Sequence, residues 1–324
     1  MNVSDRLDPR LMRAVALSAA AAAFAYLGFS MWAGWGDVTA AFAAVGWSGL
    51  AIALLLSLAN YGLRFARWQF YLEALGHAVP RAPSSTIWFS GLALTTTPGK
   101  TGELVRGLFL RGRGVPFVRS TAAFLSERLS DLVAVVLLTL PGVAMWAHGR
   151  VVVAVALLAI ALLAVTIARA DVLALRVAPW RDHGPRLVRL ATRLVDLFVE
   201  ARACHTPALM ARATVLSFVA WAAEAVAFHV VLTRMGLDLG LGWAMFVYAL
   251  AMLAGALSFL PGGLGGTEAV SIALLISAGV SESQAVAATI LIRITTLWFA
   301  VVLGIVAMIA GRRHLATGVE AEPA

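Results

Sequence analysis

The chain has 324 residues, 61% of them hydrophobic and only 13% charged, and its formal net charge is +8. That composition excludes an ordinary soluble domain, and in so apolar a chain a basic excess marks cytoplasmic loops rather than a nucleic-acid surface. The single cysteine, Cys204, excludes an intrachain disulfide, and Ala/Leu/Val runs without period-2 alternation exclude a β-barrel. The fold class is therefore an all-α polytopic membrane protein.

In chain order, Arg6, Arg10 and Arg13 precede an apolar run that outlasts the core of a signal peptide and lacks a clear cleavage site, so a retained first helix is predicted. Full spans are predicted at about 14–33, 44–63, 120–140, 151–169, 213–233 and 284–310. Two segments are too short to cross a hydrocarbon core of ~30 Å: 84–98 reaches about 22 Å and 268–278 about 16 Å. Pro98-Gly99 and Pro261-Gly262-Gly263 break the helices there. The expected architecture is thus about six full transmembrane helices plus two Pro/Gly-broken re-entrant hairpins. Segment 243–260, at about 27 Å, leaves an eight-span variant open.

The two breaks repeat. An offset of 165 positions carries Glu103 onto Glu268, Gly114-Val115 onto Gly279-Val280, Ala122-Ala123 onto Ala287-Ala288, and Arg128 onto Arg293. The reading is a single integral membrane domain, 1–313, with repeats at about 44–140 and 213–310 and a short polar tail, 314–324. With six crossings the arginine-rich segments 64–119 and 170–212 fall on the cytoplasmic side with both termini, leaving Arg150 and Arg234 outside. The repeats are then inverted, which points to a transporter-like site between them. The expected location is a bacterial cytoplasmic (inner) membrane.

Within the connection 170–212, Leu187, Leu190, Leu194 and Leu197 recur at helical spacing, with Arg189, Arg193, Asp196 and Glu200 on the opposite stripe. Such a helix either lies on anionic headgroups or packs on its own bundle.

Ionised groups at membrane depth face protein or a wet cavity. Glu103, Arg128, Glu268 and Arg293 are therefore the leading candidates, either as headgroup ligands through bidentate guanidinium bonds or as Glu–Arg latches. Gly99, Gly102, Gly262 and Gly263 leave backbone N–H groups free to meet an anion, with Lys100 and Arg106 beside the first break. Arg64 and Arg67 read equally as phosphate contacts or as anchors at the end of a span. Glu127 and Asp131 lie within one turn of Arg128, and Asp131 is spaced to neutralise it. Glu224 and His229 share one span and offer a titratable pair for proton coupling. No Gly-x-Ser-x-Gly elbow or His-Glu-x-x-His helix occurs. No catalytic residue, metal ligand or cofactor is assigned.

Pro98-Gly99-Lys100-Thr101-Gly102-Glu103-Leu104-Val105-Arg106, Glu127-Arg128-Leu129-Ser130-Asp131-Leu132 and Leu260-Pro261-Gly262-Gly263-Leu264-Gly265-Gly266-Thr267-Glu268, completed by Arg293, resemble the membrane domain of lysylphosphatidylglycerol synthases. The resemblance covers about 45–310 and implies a flippase-like role, moving a phospholipid or an isoprenoid- or hopanoid-type lipid between leaflets. This chain resembles a stand-alone member without the synthase domain. The implied partners are a membrane lipid with an anionic or phosphate-bearing headgroup and a separate lipid-synthesis enzyme, with no nucleic acid. Two other readings remain: a polyprenyl-linked glycosyl- or phospho-transferase, and a non-catalytic membrane subunit of a lipid-synthesis complex.

Overall fold

The structure is a computed structural model that describes residues 28, 35–97, 103–143, 147–180, 185–258 and 260–316. The expected first span, 14–33, lies outside the described residues apart from Gly28, as do Pro98, Gly99, Lys100, Thr101 and Gly102. Among the described residues every regular element is helical, as an apolar backbone in lipid requires.

The first long helix, α1, runs Trp35–Ala74 with a kink at Gly46. At about 60 Å it is longer than a bilayer core is thick. Helix α2 (Arg81–Leu92) and helix α3 (Val105–Arg111) are the limbs of the first broken hairpin. After α2 the chain tightens through i→i+3 bonds at Ala93, Leu94 and Thr95. Helix α4 (Phe117–Val143) follows, then α5 (Ala147–Ala168) and α6 (Ala170–Val177), which meet at a 62° bend. Helix α7 (Arg186–Ala201) is the amphipathic connection and α8 (Pro207–Arg234) the next long helix, opened by proline in its first turn.

The second broken hairpin is α9 (Leu241–Leu257), a short turn at Pro261–Gly263, and α10 (Gly266–Ser277). Helix α11 (Glu282–Arg293) starts on Ser281, whose hydroxyl accepts from the Gln284 N–H at 3.4 Å. It widens into a π-helical turn at Ile294–Trp298 and continues as α12 (Phe299–Ala310), before the short α13 (Arg312–Ala316).

Among the described residues three helical stretches, Gly36–Ala74, Pro207–Arg234 and Glu282–Ala310, are long and apolar enough to cross a membrane, and the bent pair Val153–Ala168 with Ala170–Val177 makes a fourth if taken as one span. Helix α4 has the length, but it carries Arg119, Glu127, Arg128 and Asp131. The limbs of both hairpins are short: α2 and α10 reach about 18 Å and α3 about 10 Å. In each hairpin a glycine on one limb admits the other. A Cβ on Gly255 would stand 2.0 Å from the Thr267 hydroxyl oxygen, and one on Gly91 2.7 Å from the Arg106 side chain. Helices α1 and α8 pack along their length, α9 lies on α4 and α10, and α12 lies on α2.

The main core gathers Trp221, Phe228, Phe246, Leu250 and Leu291, and a second core gathers Tyr61, Trp68, Trp88 and Leu110. Helix α7 seats Thr192 and Val195 toward α4, while Leu190 and Leu194 are 54% and 47% exposed. Of the leucine stripe, Leu197 packs on the second core while Leu190 and Leu194 stay exposed.

The placement of Arg64 and Arg67 at a span end is corrected. Helix α1 continues to Ala74, and both arginines are buried against other helices. A guanidinium ends a hydropathic run in sequence, but a carboxylate on a neighbouring helix lets it stay inside.

Candidate functional site

Four helices turn their polar stripe inward. On α1, Ser57, Asn60, Arg64, Arg67 and Tyr71 follow one another at alternating spacings of three and four, and all five are buried. Ser217, Trp221 and Glu224 do the same on α8, and Thr289, Arg293 and Thr296 on α11 and its π turn. Helix α4 contributes Glu127 and Asp131. The stripes converge where the broken hairpins come in.

The first half holds a network of four guanidiniums and three carboxylates. Asp131 Oδ1 accepts from Arg67 Nη1 at 2.5 Å and from the Trp221 indole at 2.9 Å. Its Oδ2 faces Arg128 at 3.3 Å and Arg64 at 3.6 Å. Glu127 accepts from Arg106 at 2.9 Å and from the Trp88 indole at 3.4 Å, with Arg67 at 3.6 Å. Glu103 receives Arg106 at 3.2 Å and the Thr95 hydroxyl at 3.2 Å, with Arg128 at 3.6 Å. Arg67 also bonds the Ser217 hydroxyl. Aromatic faces complete the cage: the Arg106 guanidinium carbon lies 4.6 Å from the Trp68 ring centre, and that of Arg64 5.4 Å from Trp221.

One member differs. The side chains of Arg64, Arg67 and Arg106 are at most 7% exposed, whereas that of Arg128 is 24% exposed. Arg128 Nε and Nη2 have no hydrogen-bond partner, although Nη2 lies within ion-pair range of two carboxylates. Phe124 lies against its guanidinium at 5.0 Å.

The second half holds one ion pair. Arg293 Nε meets Glu268 Oε1 at 2.7 Å and Arg293 Nη2 donates to the Gly262 carbonyl at 2.7 Å. Glu268 Oε2 accepts the Gly265 N–H at 2.6 Å. Gly262, Gly263 and Gly265 all adopt positive φ, which shapes the loop so that its own carboxylate caps α10. An anion position expected at this break is thus taken by Glu268.

A cavity of about 340 Å³ lies between the halves. Arg128 and Asp131 supply its charge, Thr267, Gly262 and Gly263 its remaining polar edge, and Leu132, Val135, Leu253 and Leu260 part of its apolar wall. A second hollow of about 40 Å³ shares Trp221, Met252 and Gly262 with it. There Arg64, Arg293 and Glu224 meet Tyr61 and Tyr248. Glu224 accepts the Tyr248 hydroxyl at 2.6 Å, and Tyr61 donates to the Thr296 carbonyl of the π turn at 2.6 Å.

The candidates therefore separate. Glu103, Arg106, Arg128, Glu127, Asp131, Arg64 and Arg67 come together in one network, while Glu268, Arg293, Gly262 and Gly263 form the facing wall. Glu224 joins the smaller hollow without His229, whose Nδ1 is buried without a hydrogen-bond partner. Lys100, Gly99 and Gly102 lie outside the described residues. Trp88, Trp221, Tyr61 and Tyr248 are site residues that sequence reading passed over. For the first three the signal is position, since Trp88, Trp221 and Tyr61 each stand three or four residues from a buried Ser, Glu or Arg, whereas the residues so spaced from Tyr248 are Ala and Met.

The chain matches the family described as the lysylphosphatidylglycerol synthase TM region over residues 14–304. A UPF0104 membrane protein of Methanothermobacter thermautotrophicus is 34% identical over 93 residues, covering 29% of this chain and 28% of that protein. A second UPF0104 membrane protein, from Pyrococcus horikoshii, is 28% identical over 99 residues, covering 31% of this chain and 30% of that one. The matched stretch thus spans under a third of either relative.

Proposed function

Because this chain belongs to the lysylphosphatidylglycerol synthase TM-region family, we propose that it moves a lipid with a phosphate-bearing headgroup between the leaflets of its membrane. The observation that carries this reading is Arg128, whose side chain is 24% exposed and held only at 3.3–3.6 Å by its two carboxylates, on a cavity whose other walls are mainly apolar. A guanidinium there gains a bidentate partner when a phosphate arrives, while Leu132, Val135 and Leu253 suit the adjoining glycerol and chain carbons. The remaining arginines hold Asp131, Glu127 and Glu103 in place, so that Arg128 is presented rather than collapsed.

The same reading treats the two broken hairpins as inverted halves around the cavity, about 44–140 and 213–310, that open it to alternate sides. The excess of arginines in 64–119 and 170–212 supports a cytoplasmic location for these segments and for both termini. In a bacterial inner membrane, a separate lipid-synthesis enzyme would supply the cargo on that side. Exposed Leu190 and Leu194, beside exposed Arg189 and Arg193, suit α7 to lie on anionic headgroups there.

The test is leaflet exchange in vesicles reconstituted with the full chain and a fluorescent phosphatidylglycerol. Exchange above that of protein-free vesicles supports the reading. Its absence, together with turnover of a sugar or phosphate donor, would replace it with a transferase.

A further inference from the structure

Among the described residues the ions of the site balance. Arg64, Arg67, Arg106, Arg128 and Arg293 stand against Glu103, Glu127, Asp131, Glu224 and Glu268, and all but Arg128 are buried. Glu103, Glu127, Asp131 and Glu268 each meet a guanidinium within 3.3 Å. Glu224 accepts the Tyr248 hydroxyl at 2.6 Å in the smaller hollow, which shares Trp221, Met252 and Gly262 with the cavity that holds Arg128. A phosphodiester headgroup drawn to Arg128 brings one negative charge. In a balanced site largely shut off from water, that charge is left uncompensated, and such a charge is costly there.

From this balance and the Glu224–Tyr248 pair we infer that, on the transport reading above, an anionic lipid crosses together with a proton, and that Glu224 carries the proton. Its carboxylate takes the proton from water on the side where the lipid enters and becomes a neutral carboxylic acid. It returns the proton to water on the side where the lipid leaves. One anion and one proton cross together, so no net charge moves.

Tyr248 is what suits Glu224 to this task. A hydroxyl both donates and accepts, so its bond to Glu224 persists, with direction reversed, when the carboxyl gains the proton. A guanidinium only donates, and protonating one of the other four carboxylates turns a buried ion pair into a poorly matched cation. The other charged or titratable groups around the hollow are Tyr61 and Arg64 on α1 and Arg293 on α11, with Asp131 of α4 bonded to the Trp221 indole. Arg64 and Arg293 also answer to Asp131 and Glu268, so neither depends on Glu224 alone for a counter-charge. His229, five residues further along α8, does not line the hollow.

The experiment measures proton uptake as dioctanoylphosphatidylglycerol is titrated into the detergent-solubilised full chain, in weak buffer with a pH indicator. The wild type should take up about one proton per lipid bound in the pH range of greatest uptake. Glu224→Gln should bring the uptake per lipid bound below about a tenth of that. Tyr248→Phe keeps the carboxyl but removes a donor to its ionised form, so it should move the range of uptake to higher pH. A purely structural role for Tyr248 leaves that range where it is. Binding without uptake in the wild type, or undiminished uptake in Glu224→Gln, would overturn the inference while leaving the headgroup site standing. Absence of binding would overturn both.

A pH gradient across vesicles gives the second readout. A difference of about one pH unit is worth up to about tenfold in a one-to-one coupled distribution. Fluorescent phosphatidylglycerol should therefore gather in the leaflet facing the more alkaline compartment, by at least about threefold over protein-free vesicles. Exchange that ignores the gradient would contradict the coupling. Proton uptake in detergent without any exchange in vesicles upholds the proton site and sinks the transport reading alone.

Discussion

The two broken hairpins share a plan and differ in how they use charge. The offset that superposes Glu103 on Glu268 and Arg128 on Arg293 places Arg67 on Leu232, Arg106 on Ser271, Glu127 on Ile292 and Asp131 on Thr296. Of these charges the second half keeps Glu268 and Arg293, which meet at 2.7 Å with help from the Gly262 carbonyl and the Gly265 N–H. In the first half added ions compete for the same carboxylates. Arg106 lies closer to Glu103 than Arg128 does, at 3.2 against 3.6 Å, and Arg67 lies closer to Asp131. One pair is closed as a latch, and its counterpart is loosened by competition, leaving Arg128 held at 3.3–3.6 Å on the cavity wall. Extra buried charge here does not strengthen the fold so much as free one group from it.

That contrast can be broken most severely at Arg67. Arg67→Met removes a fully buried guanidinium, leaving Asp131 to Arg64, Arg128 and Trp221 and Glu127 to Arg106 and Trp88, which should cost about 3 kcal/mol in thermal or denaturant unfolding in detergent. A loss below about 1 kcal/mol would mean that the network is not a structural unit. A double-mutant cycle on Glu268 and Arg293 should give a coupling of about 2–3 kcal/mol. The equivalent cycle on Glu103 and Arg128 should stay under about 1 kcal/mol, because Arg128 is partly exposed and shared. Equal couplings would erase the distinction between latch and open site.

The hairpin crossings give the next comparison. Gly255→Val drives a side chain into Thr267 and should destabilise by about 1–3 kcal/mol, measured by the same unfolding assay. Gly91→Val meets the Arg106 side chain instead, so part of its effect should appear as lost lipid exchange. The smallest expected effect is a pH dependence confined to the first half. Arg119 there bridges Glu200, the Leu75 carbonyl and His77 at 3.1–3.2 Å. Burial, then the Arg119 charge, holds the His77 pKa below its ordinary value, with Glu200 opposing. The unfolded chain therefore binds the proton more readily, so the junction is most stable above about pH 6.5 and weakens as pH falls through the folded pKa. Because His77 is only half-buried, the change should be under about 0.5 kcal/mol, and His77→Gln should flatten it.

How much of this the chain's letters disclosed depends on the kind of signal. Glu103, Arg128, Glu268 and Arg293 stand out because ions in apolar runs recur at one offset, and the helical class follows from composition alone. Arg64 and Arg67 were legible only by spacing. Together with Ser57, Asn60 and Tyr71 they trace an inward stripe, which the idea of a charged span end conceals. Trp221 and Tyr248 are harder to read, since an aromatic residue in a membrane helix suits lipid as well as a carboxylate. The π turn has no periodic signature. Thr295 and Thr296 bond back to carbonyls of α11 there, loosening the ladder where Tyr61 reaches the Thr296 carbonyl.

The most direct test of the central claim places Arg128→Ala beside Arg293→Ala in the same vesicles and the same unfolding assay. Arg128→Ala should keep its melting temperature within a few degrees of wild type yet lose phosphatidylglycerol exchange by about tenfold or more, whereas Arg293→Ala should lose stability first. Contradiction would come from an Arg128→Ala protein that exchanges lipid at the wild-type rate.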